Sequence, residues 1–164
     1  HRLVFVDGAC PNNGQPGARG GIGCAIGNSS KDQISVPVTE AMDPGARRTS
    51  QRAELLAALH GLHFIVGTSS AEHDAREGEY IIVADSEYVL KGMTEWMPRW
   101  KSNNWKTPQG RVPANLDLFR RLDFAVAEYE SRGLKIQFFH VLRQFNMIAD
   151  GLAKRAAAEP STVI

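Results

Sequence analysis

The chain has 164 residues, of which 43% are hydrophobic and 23% are charged. This composition is typical of a globular domain and excludes a disordered or collagen-like chain. Nineteen Lys and Arg residues against eighteen Asp and Glu residues leave a net charge of +1, so an affinity for nucleic acid would have to come from a local cluster. The apolar runs are far shorter than the roughly 20 residues of a membrane span, which argues against a membrane partner.

We expect a single intracellular domain over residues 1–164. No signal peptide is visible, and the chain opens directly on a strand-like run, which suggests a domain excised from a longer protein. Two cysteines, Cys10 and Cys24, are too few for a disulfide framework. They fall on neighbouring antiparallel segments, where a disulfide is geometrically conceivable, but an intracellular domain favours free thiols.

Three short strands are predicted first, over residues 3–6, 20–27 and 33–38. The turns between them are short, which favours antiparallel neighbours. A helix capped by Thr49 or Ser50 follows, with apolar residues at helical spacing from Leu55 to Val66. Residues 68–78 are rich in Ser, Glu and Gly and are predicted to form a polar loop, whose acidic residues would form a solvated face.

The second half alternates strands and helices. Residues 80–84 and 134–140 are predicted strands, and residues 115–131 and 148–158 are predicted helices. Residues 86–100 read as short helical pieces that Pro98 interrupts, and residues 103–113 as irregular. Three leading strands followed by this alternation predict an α/β fold with a mixed sheet flanked by helices.

Four acidic residues lie at positions where a carboxylate is energetically unfavourable unless it has a function. Asp7 and Asp85 each end an apolar strand, and Glu54 and Asp150 lie in the first turns of two helices. Convergent carboxylates repel one another unless cations neutralise them, and oxygen ligands suit Mg²⁺ or Mn²⁺. Each acid alone has an ordinary interpretation as a turn cap or a solvated helix residue. Composition and spacing do not show that the four converge.

The local sequences around these acids closely resemble the type 1 ribonuclease H family. The matching pieces, in order, are FVDGAC at residues 5–10, TSQRAEL at 49–55, ADSEYV at 84–89 and ADGLA at 149–153. The acids are separated by 47, 31 and 65 residues, which also fits that family. The resemblance covers nearly the whole chain, and it implies a ribonuclease H-like mixed five-stranded sheet with three antiparallel strands followed by two parallel ones.

The resemblance implies hydrolysis of the RNA strand of RNA–DNA hybrids with two Mg²⁺ ions, for which Mn²⁺ can substitute, leaving 5′-phosphate and 3′-hydroxyl ends. By the same likeness, Asp7 bridges both ions. Asp150 helps to hold the ion at the attacking water, and Glu54 and Asp85 help to hold the ion at the leaving oxygen. A two-metal site of this kind stabilises both oxygens of an in-line displacement. We expect the protein to act as a monomer.

A basic, tryptophan-rich segment, residues 88–113, is here called the handle. It contains five Lys or Arg residues, one Glu and all three tryptophans, a mixture suited to a phosphate backbone. The resemblance implies that Tyr88, Trp96 and Trp100 lie along the DNA strand, although tryptophans at such spacing can equally be core residues. Within the handle, the basic residues that we expect to contact the nucleic acid are Lys101 and Lys106.

The resemblance also implies other contacts to the hybrid. Arg47, Thr49 and Asn115 match the family's pocket for a DNA phosphate. Asn13, Ser50 and Gln51 match its minor-groove contacts, with Ser50 where an asparagine is usual. The resemblance further implies that Glu54 and the backbone of residues 10–13 distinguish RNA from DNA.

The connection from His140 to Asp150 departs from many family members, which carry a longer loop with a glycine-flanked histidine. Here the connection is short, and Arg143 is the nearest residue able to contact a phosphate. We therefore expect no histidine to act as a general acid or base. His60 and His63 are three residues apart on a predicted helix, and we interpret them as incidental rather than as a metal site.

Two other functions remain open on the sequence alone. One is a non-cleaving module that binds RNA–DNA hybrids with the same fold, and the presence of all four carboxylates argues against it. The other is a related metal nuclease that acts on DNA, which the handle and the RAE helix motif argue against.

Overall fold

The computed structural model describes residues 1–72 and 78–159. Its centre is a five-stranded sheet made of β1 (Arg2–Ala9), β2 (Gly21–Ala25), β3 (Gln33–Pro37), β4 (Gly78–Ala84) and β5 (Leu134–His140). The strand order is β3-β2-β1-β4-β5. The pairs β1–β2 and β2–β3 are antiparallel, and β1–β4 and β4–β5 are parallel. The predicted mixed sheet is confirmed.

Five α-helices flank the sheet: α1 (Ser50–Glu72), α2 (Glu87–Lys91), α3 (Met97–Ser102), α4 (Leu116–Ser131) and α5 (Met147–Ala158). One face of the sheet packs on α1, and α4 packs on α1 and β5. The other face is covered by α5, which lies over β1, β2 and β3. Val4, Val6 and Ile82 on the sheet and Leu56 and Leu62 on α1 are fully buried, so the main core lies between β1, β4 and α1.

The polar loop predicted over residues 68–78 is wrong in its first part, because α1 continues to Glu72. The Thr68 hydroxyl donates to the Phe64 carbonyl at 2.7 Å, and Ser69 is buried. The Thr68 hydroxyl is thus satisfied within the helix, so Thr68 does not break it. Glu79 belongs to β4 and pairs with Lys135 at 3.3 Å. The rest of the predicted acidic loop, residues 73–77, lies outside the described residues.

The prediction that Pro98 interrupts the helical segment is wrong. The chain is helical from α2 through a π-helical turn, Gly92–Trp96, into α3. The Met97 N–H donates to the Gly92 carbonyl, five residues earlier. Pro98 then falls in the first turn of α3, where its missing N–H and its fixed φ are tolerated.

Helix α4 buries one of its faces, which includes Phe119 and Leu122. Leu122 is fully buried, whereas Phe124 is 69% exposed. Gly133, with φ +90°, ends this helical segment as expected. Among the described residues, no helix combines the length and the apolar character needed to cross a membrane.

Candidate active site

The four acidic residues lie around one cavity at one end of the sheet. Asp7 lies near the end of β1 and Asp85 directly follows β4, and these strands run in parallel with Val6 opposite Ala84. Glu54 lies on the second turn of α1, and Asp150 on the first turn of α5. All four line a cavity of about 400 Å³. The convergence that the sequence could not demonstrate is present in the fold.

A close approach between β1 and α1 places Glu54 beside Asp7. A Cβ atom on Gly8 would lie 2.3 Å from the backbone nitrogen of Glu54, so the two backbones are in direct contact there. The start of α1 is fixed by two further bonds. The Thr49 hydroxyl accepts the Arg52 N–H at 3.2 Å, which makes Thr49 the cap, and Asn13 Oδ1 accepts the Ser50 N–H at 2.9 Å.

Burial and mutual repulsion raise the pKa of three of the carboxyls. The pKa of Asp7 is raised to about 8, first by burial and then by the carboxylates of Asp85 and Asp150. Burial also raises the pKa of Glu54, against a hydrogen bond from the Ser86 hydroxyl at 2.7 Å. The pKa of Asp85 is raised mainly by burial, while the positive charge of Arg143 opposes the shift. The cavity therefore holds more negative charge than the protein alone neutralises.

Asp150 is the exception among the four. Burial disfavours its ionised form, but two cations outweigh that effect and lower its pKa. Lys154 Nζ lies 2.9 Å from Asp150 Oδ2, and Arg143 Nη2 lies 3.4 Å from Asp150 Oδ1. Asp150 thus stays ionised beside Asp7, and its hydrogen bond with Asp7 stabilises the protonated form of Asp7.

The donor set fits hard divalent cations. All four groups are carboxylates, and such oxygen ligands suit Mg²⁺ or Mn²⁺. Asp7, Asp85 and Asp150 interact electrostatically with one another, and Glu54 interacts with Asp85. Across residues 1–72 and 78–159, no three His, Cys, Asp or Glu side chains are grouped as ligands of a single ion. A small number of carboxylate ligands leaves coordination positions for water and phosphate oxygens, as sites for Mg²⁺ commonly do.

The residues predicted to bind a DNA phosphate lie beside the start of α1. Asn115 has a left-handed backbone with φ +58°, and its amide donates to Gln51 Oε1 at 3.3 Å and to the Tyr88 hydroxyl at 3.0 Å. Arg52 donates to Asn115 Oδ1 at 3.3 Å. Arg47 is exposed on the loop before α1. The structure thus links Thr49 and Asn115 through Arg52, and Arg47 lies two residues before Thr49 in the chain.

The handle folds into a groove and a buried stack. Trp100 is only 9% exposed and contacts Phe119 edge-on at 5.3 Å between ring centroids, so most of its surface belongs to the core. Trp96 is half-buried and packs on Tyr88 at 5.5 Å. The groove beside them is lined by Trp96, Arg99, Trp100, Asn103, Lys106 and Pro108. Lys106 is exposed there, whereas Lys101 pairs with Asp123 at 2.8 Å.

Sequence reasoning missed four supporting residues. Ser86 orients Glu54, Lys154 pairs with Asp150, Arg52 joins Asp43 and Asp117 to the DNA-phosphate pocket, and buried Asn146 donates to the Val6 carbonyl at 2.9 Å. Lys154 could have been found from its spacing of four residues after Asp150 on a helix. Nothing in the local sequence around Asn146 signals a bond to a distant strand.

The two histidines of α1 differ in their surroundings, because His60 Nε2 is buried without a hydrogen-bond partner among the described residues. His63 Nδ1 lies 2.6 Å from the Tyr129 hydroxyl, and His60 is half-buried one helical turn earlier. Cys10 and Cys24 are buried free thiols. The connection between β5 and α5 is short, as predicted, and contains a 3₁₀ turn, Arg143–Phe145.

The RNase H family model matches residues 1–158. A ribonuclease H from Dinoroseobacter shibae is 36% identical over 157 residues, which cover 95% of this chain and 90% of that protein. The chain belongs to the RNase H family. A ribonuclease H from Schizosaccharomyces pombe is 32% identical over 160 residues, and there the match covers 96% of this chain but only 53% of the longer protein.

Solved structures show the same fold. The crystal structure of LC11-RNase H1 in complex with RNA/DNA hybrid aligns with a TM-score of 0.65 at 19% identity, covering 96% of each chain. The solution structure of the PFV RNase H domain aligns with a TM-score of 0.67 at 17% identity, covering 95% of this chain and 93% of that one. RNase H enzymes are hydrolases. Because this chain belongs to the family, it is a hydrolase.

Proposed function

We propose that this protein hydrolyses the RNA strand of RNA–DNA hybrids at the cavity lined by Asp7, Glu54, Asp85 and Asp150, using two Mg²⁺ ions. The single observation that carries the proposal is the gathering of these four carboxylates in one cavity, with the pKa of Asp7 raised to about 8. Membership of the RNase H family supports the reaction, and the fold shared with a structure solved in complex with RNA/DNA hybrid supports the substrate.

Each carboxylate has a role in this proposal. Asp7 would contact both ions, Asp150 would help to hold the ion on the side of the attacking water, and Glu54 and Asp85 the ion at the leaving oxygen. When bound, such ions provide an activated water and stabilise charge on the leaving oxygen. Products would carry 5′-phosphate and 3′-hydroxyl ends.

The surrounding side chains support this arrangement without taking part in bond breaking. Lys154 and Arg143 keep Asp150 ionised, so it is ready to bind a cation without first losing a proton. The Ser86 hydroxyl fixes one oxygen of Glu54. Arg143 is exposed at the rim of the cavity, where it can also contact a phosphate of the substrate or product.

Substrate binding is assigned to two adjoining surfaces near the cavity. The first comprises Asn13, Arg47, Thr49, Ser50, Gln51 and Asn115. The second is the handle, with Tyr88, Trp96 and Lys106 more accessible than Trp100, and it meets the first where the Asn115 amide donates to the Tyr88 hydroxyl. A monomeric state and an intracellular location stay predictions.

A substrate panel tests the proposal. Labelled RNA–DNA hybrid, duplex RNA and duplex DNA are incubated with the protein, with Mg²⁺ and with EDTA. We expect cleavage of the RNA strand of the hybrid only, with Mg²⁺ only, and products that a ligase can rejoin after a complementary splint is added because they end in 5′-phosphate and 3′-hydroxyl. Binding of the hybrid without cleavage in Mg²⁺ or Mn²⁺ would instead establish a non-cleaving module, and cleavage of duplex DNA would indicate a DNA nuclease.

A further inference from the structure

A groove of about 540 Å³ runs between α1 and α4 outside the candidate active site. On the α4 side its lining residues recur every three or four positions, so they form one continuous face of that helix. The residues of α4 and its C-terminal cap on this face are Asp117, Arg120, Arg121, Phe124, Ala125, Glu128, Tyr129 and Arg132, and we call it the α4 face. From Asp117 to Arg132 it is about 22 Å long at 1.5 Å per residue.

The α4 face carries three arginines. Its two acidic residues are already engaged: Asp117 pairs with Arg52 at 2.7 Å, and Glu128 lies 3.7 Å from Arg132. Burial, and after it the positive charge of Arg121, lowers the pKa of His63 across the groove. With Arg132 paired to Glu128, the excess positive charge of the α4 face comes from Arg120 and Arg121, on a surface that the proposed catalytic reaction does not use.

Aromatic rings stand among these charges. Phe124 is 69% exposed in the groove. Tyr129 is fixed by the contact of its hydroxyl with His63 and by the Arg132 guanidinium, 5.6 Å from its ring centroid. Exposed rings interleaved with cations suit a single strand of nucleic acid, whose bases stack while its phosphates pair with arginine.

The groove is continuous with the DNA-phosphate pocket proposed above. Arg52 links the two directly, because it bonds both Asn115 in the pocket and Asp117 at the start of the α4 face. Arg121 donates to the Met42 carbonyl at 3.2 Å, in the loop that carries Arg47. At the handle, Arg120 lies 4.3 Å above the ring of Trp105. A DNA strand leaving the pocket thus reaches the start of the α4 face at the ion pair between Arg52 and Asp117.

We infer that the groove between α1 and α4 binds single-stranded DNA that extends beyond the hybrid. This inference rests on the proposed function, because the hybrid's DNA strand is what reaches the pocket. Arginine side chains on the α4 face would pair with phosphates of the extension, and Phe124 would stack on one of its bases. Its length of about 22 Å accommodates several nucleotides. The protein would then prefer hybrids at junctions with single-stranded DNA over isolated blunt hybrids.

The test compares the binding of a blunt hybrid with that of the same hybrid carrying a DNA or an RNA overhang. Overhangs of about six nucleotides are placed at the 5′ or the 3′ end, and affinity is measured by fluorescence anisotropy in EDTA. The groove variant combines Phe124→Ala and Arg132→Gln, both at exposed positions. The control variant combines Phe139→Ala, which is 60% exposed on β5, and Arg155→Gln on α5, with the same residue types removed away from the groove.

For the wild type, we expect one of the two DNA overhangs to tighten binding by about fivefold or more over the blunt hybrid, as stacking and phosphate contacts predict. The groove variant should lose most of that gain and keep the wild-type affinity for the blunt hybrid, and the control variant should behave as wild type. Cleavage of the blunt hybrid in Mg²⁺ should be the same in all three proteins.

Several outcomes would overturn the inference. These are no gain from either DNA overhang in the wild type, an equal gain from RNA overhangs, or the same loss in the control variant. Failure of the wild type to bind and cleave the blunt hybrid would be a different result, since it would refute the proposed function itself.

Discussion

Asp7 combines deep burial with two neighbouring carboxylates, and its pKa of about 8 has a consequence for stability. An unfolded Asp has a pKa of about 3.9. Between these two values the folded state binds more protons than the unfolded state, so the free energy of unfolding falls as pH rises from about 4 to about 8. The same proton must leave when a cation binds, so cation affinity should rise over that range.

Replacing Asp7 with Asn removes the titrating carboxyl group and leaves a side chain of nearly the same shape. In EDTA at pH 8, we expect Asp7→Asn to melt several degrees above the wild type, since each 1 kcal/mol shifts Tm by about 2–4 °C at this size. The difference should shrink towards pH 4, where the folded-state carboxyl is protonated and the unfolded-state carboxyl is about half protonated. Thermal melting from pH 4 to 9 measures it, and a difference that does not change with pH would contradict the assignment.

His140 ends β5 opposite Ala84, and its charge acts on Asp85, so it is the histidine best placed to take part in catalysis. We predict that it does not act as an acid or base. His140→Ala should reduce the cleavage rate by less than about tenfold and leave the pH profile between 6 and 7 unchanged. A loss of a hundredfold or more, in a protein with the wild-type melting temperature, would show the opposite.

Arg143, by contrast, pairs with Asp150 at the cavity rim and stays charged at all working pH values. Arg143→Ala should weaken the handling of substrate or product rather than the chemical step. Single-turnover and steady-state rates, measured with the same hybrid, separate the two effects. A single-turnover rate that falls as far as the steady-state rate would place Arg143 in the chemical step.

At the scale of elements, the sequence predicted the sheet well because strands β1 to β5 are short apolar runs between clear turn residues. The resemblance grouped Arg47, Thr49 and Asn115, and the structure links Thr49 and Asn115 through Arg52. The predicted end of α1 lies before the observed end because the hydroxyl of the polar residue Thr68 bonds within the helix. The supporting bonds from Ser86 and Asn146 join distant segments, and local patterns carry no information about such pairs.

Gly8 gives a test of how the elements position the site. A methyl group there would lie 2.3 Å from the α1 backbone, so Gly8→Ala must push α1 away from β1 and move Glu54 from Asp7. We expect a loss of about 2 kcal/mol or more in stability, as overpacking produces, and cleavage reduced at least about a hundredfold.

Gly67→Ala is the matched control on the same helix. Nothing lies within 4 Å of the Cβ that it would add. It should stabilise the protein by about 0.5–1 kcal/mol through helix propensity and leave cleavage unchanged. Urea unfolding and initial rates measure both variants. Wild-type stability and activity in Gly8→Ala would mean that the two backbones are not in contact in solution.

At the scale of the whole molecule, a net charge of +1 means that hybrid binding depends on where the charges lie. Within the handle, Lys106 is exposed in the groove while Lys101 is paired with Asp123. We therefore expect Lys106→Ala to weaken hybrid binding more than Lys101→Ala and to reduce the slope of log affinity against log salt by about 1. Equal effects of the two changes would mean that the ion pair with Asp123 opens when the hybrid binds.

The central claim is that carboxylates in one cavity hold the cations that drive cleavage, while other surfaces bind the hybrid. The most direct measurement compares Asp7→Asn with the wild type in two assays on one labelled hybrid, affinity in EDTA and RNA-strand cleavage in Mg²⁺. We predict an affinity within about threefold of the wild type and cleavage reduced at least about a thousandfold. A variant that retains a tenth of the wild-type cleavage rate would contradict the claim.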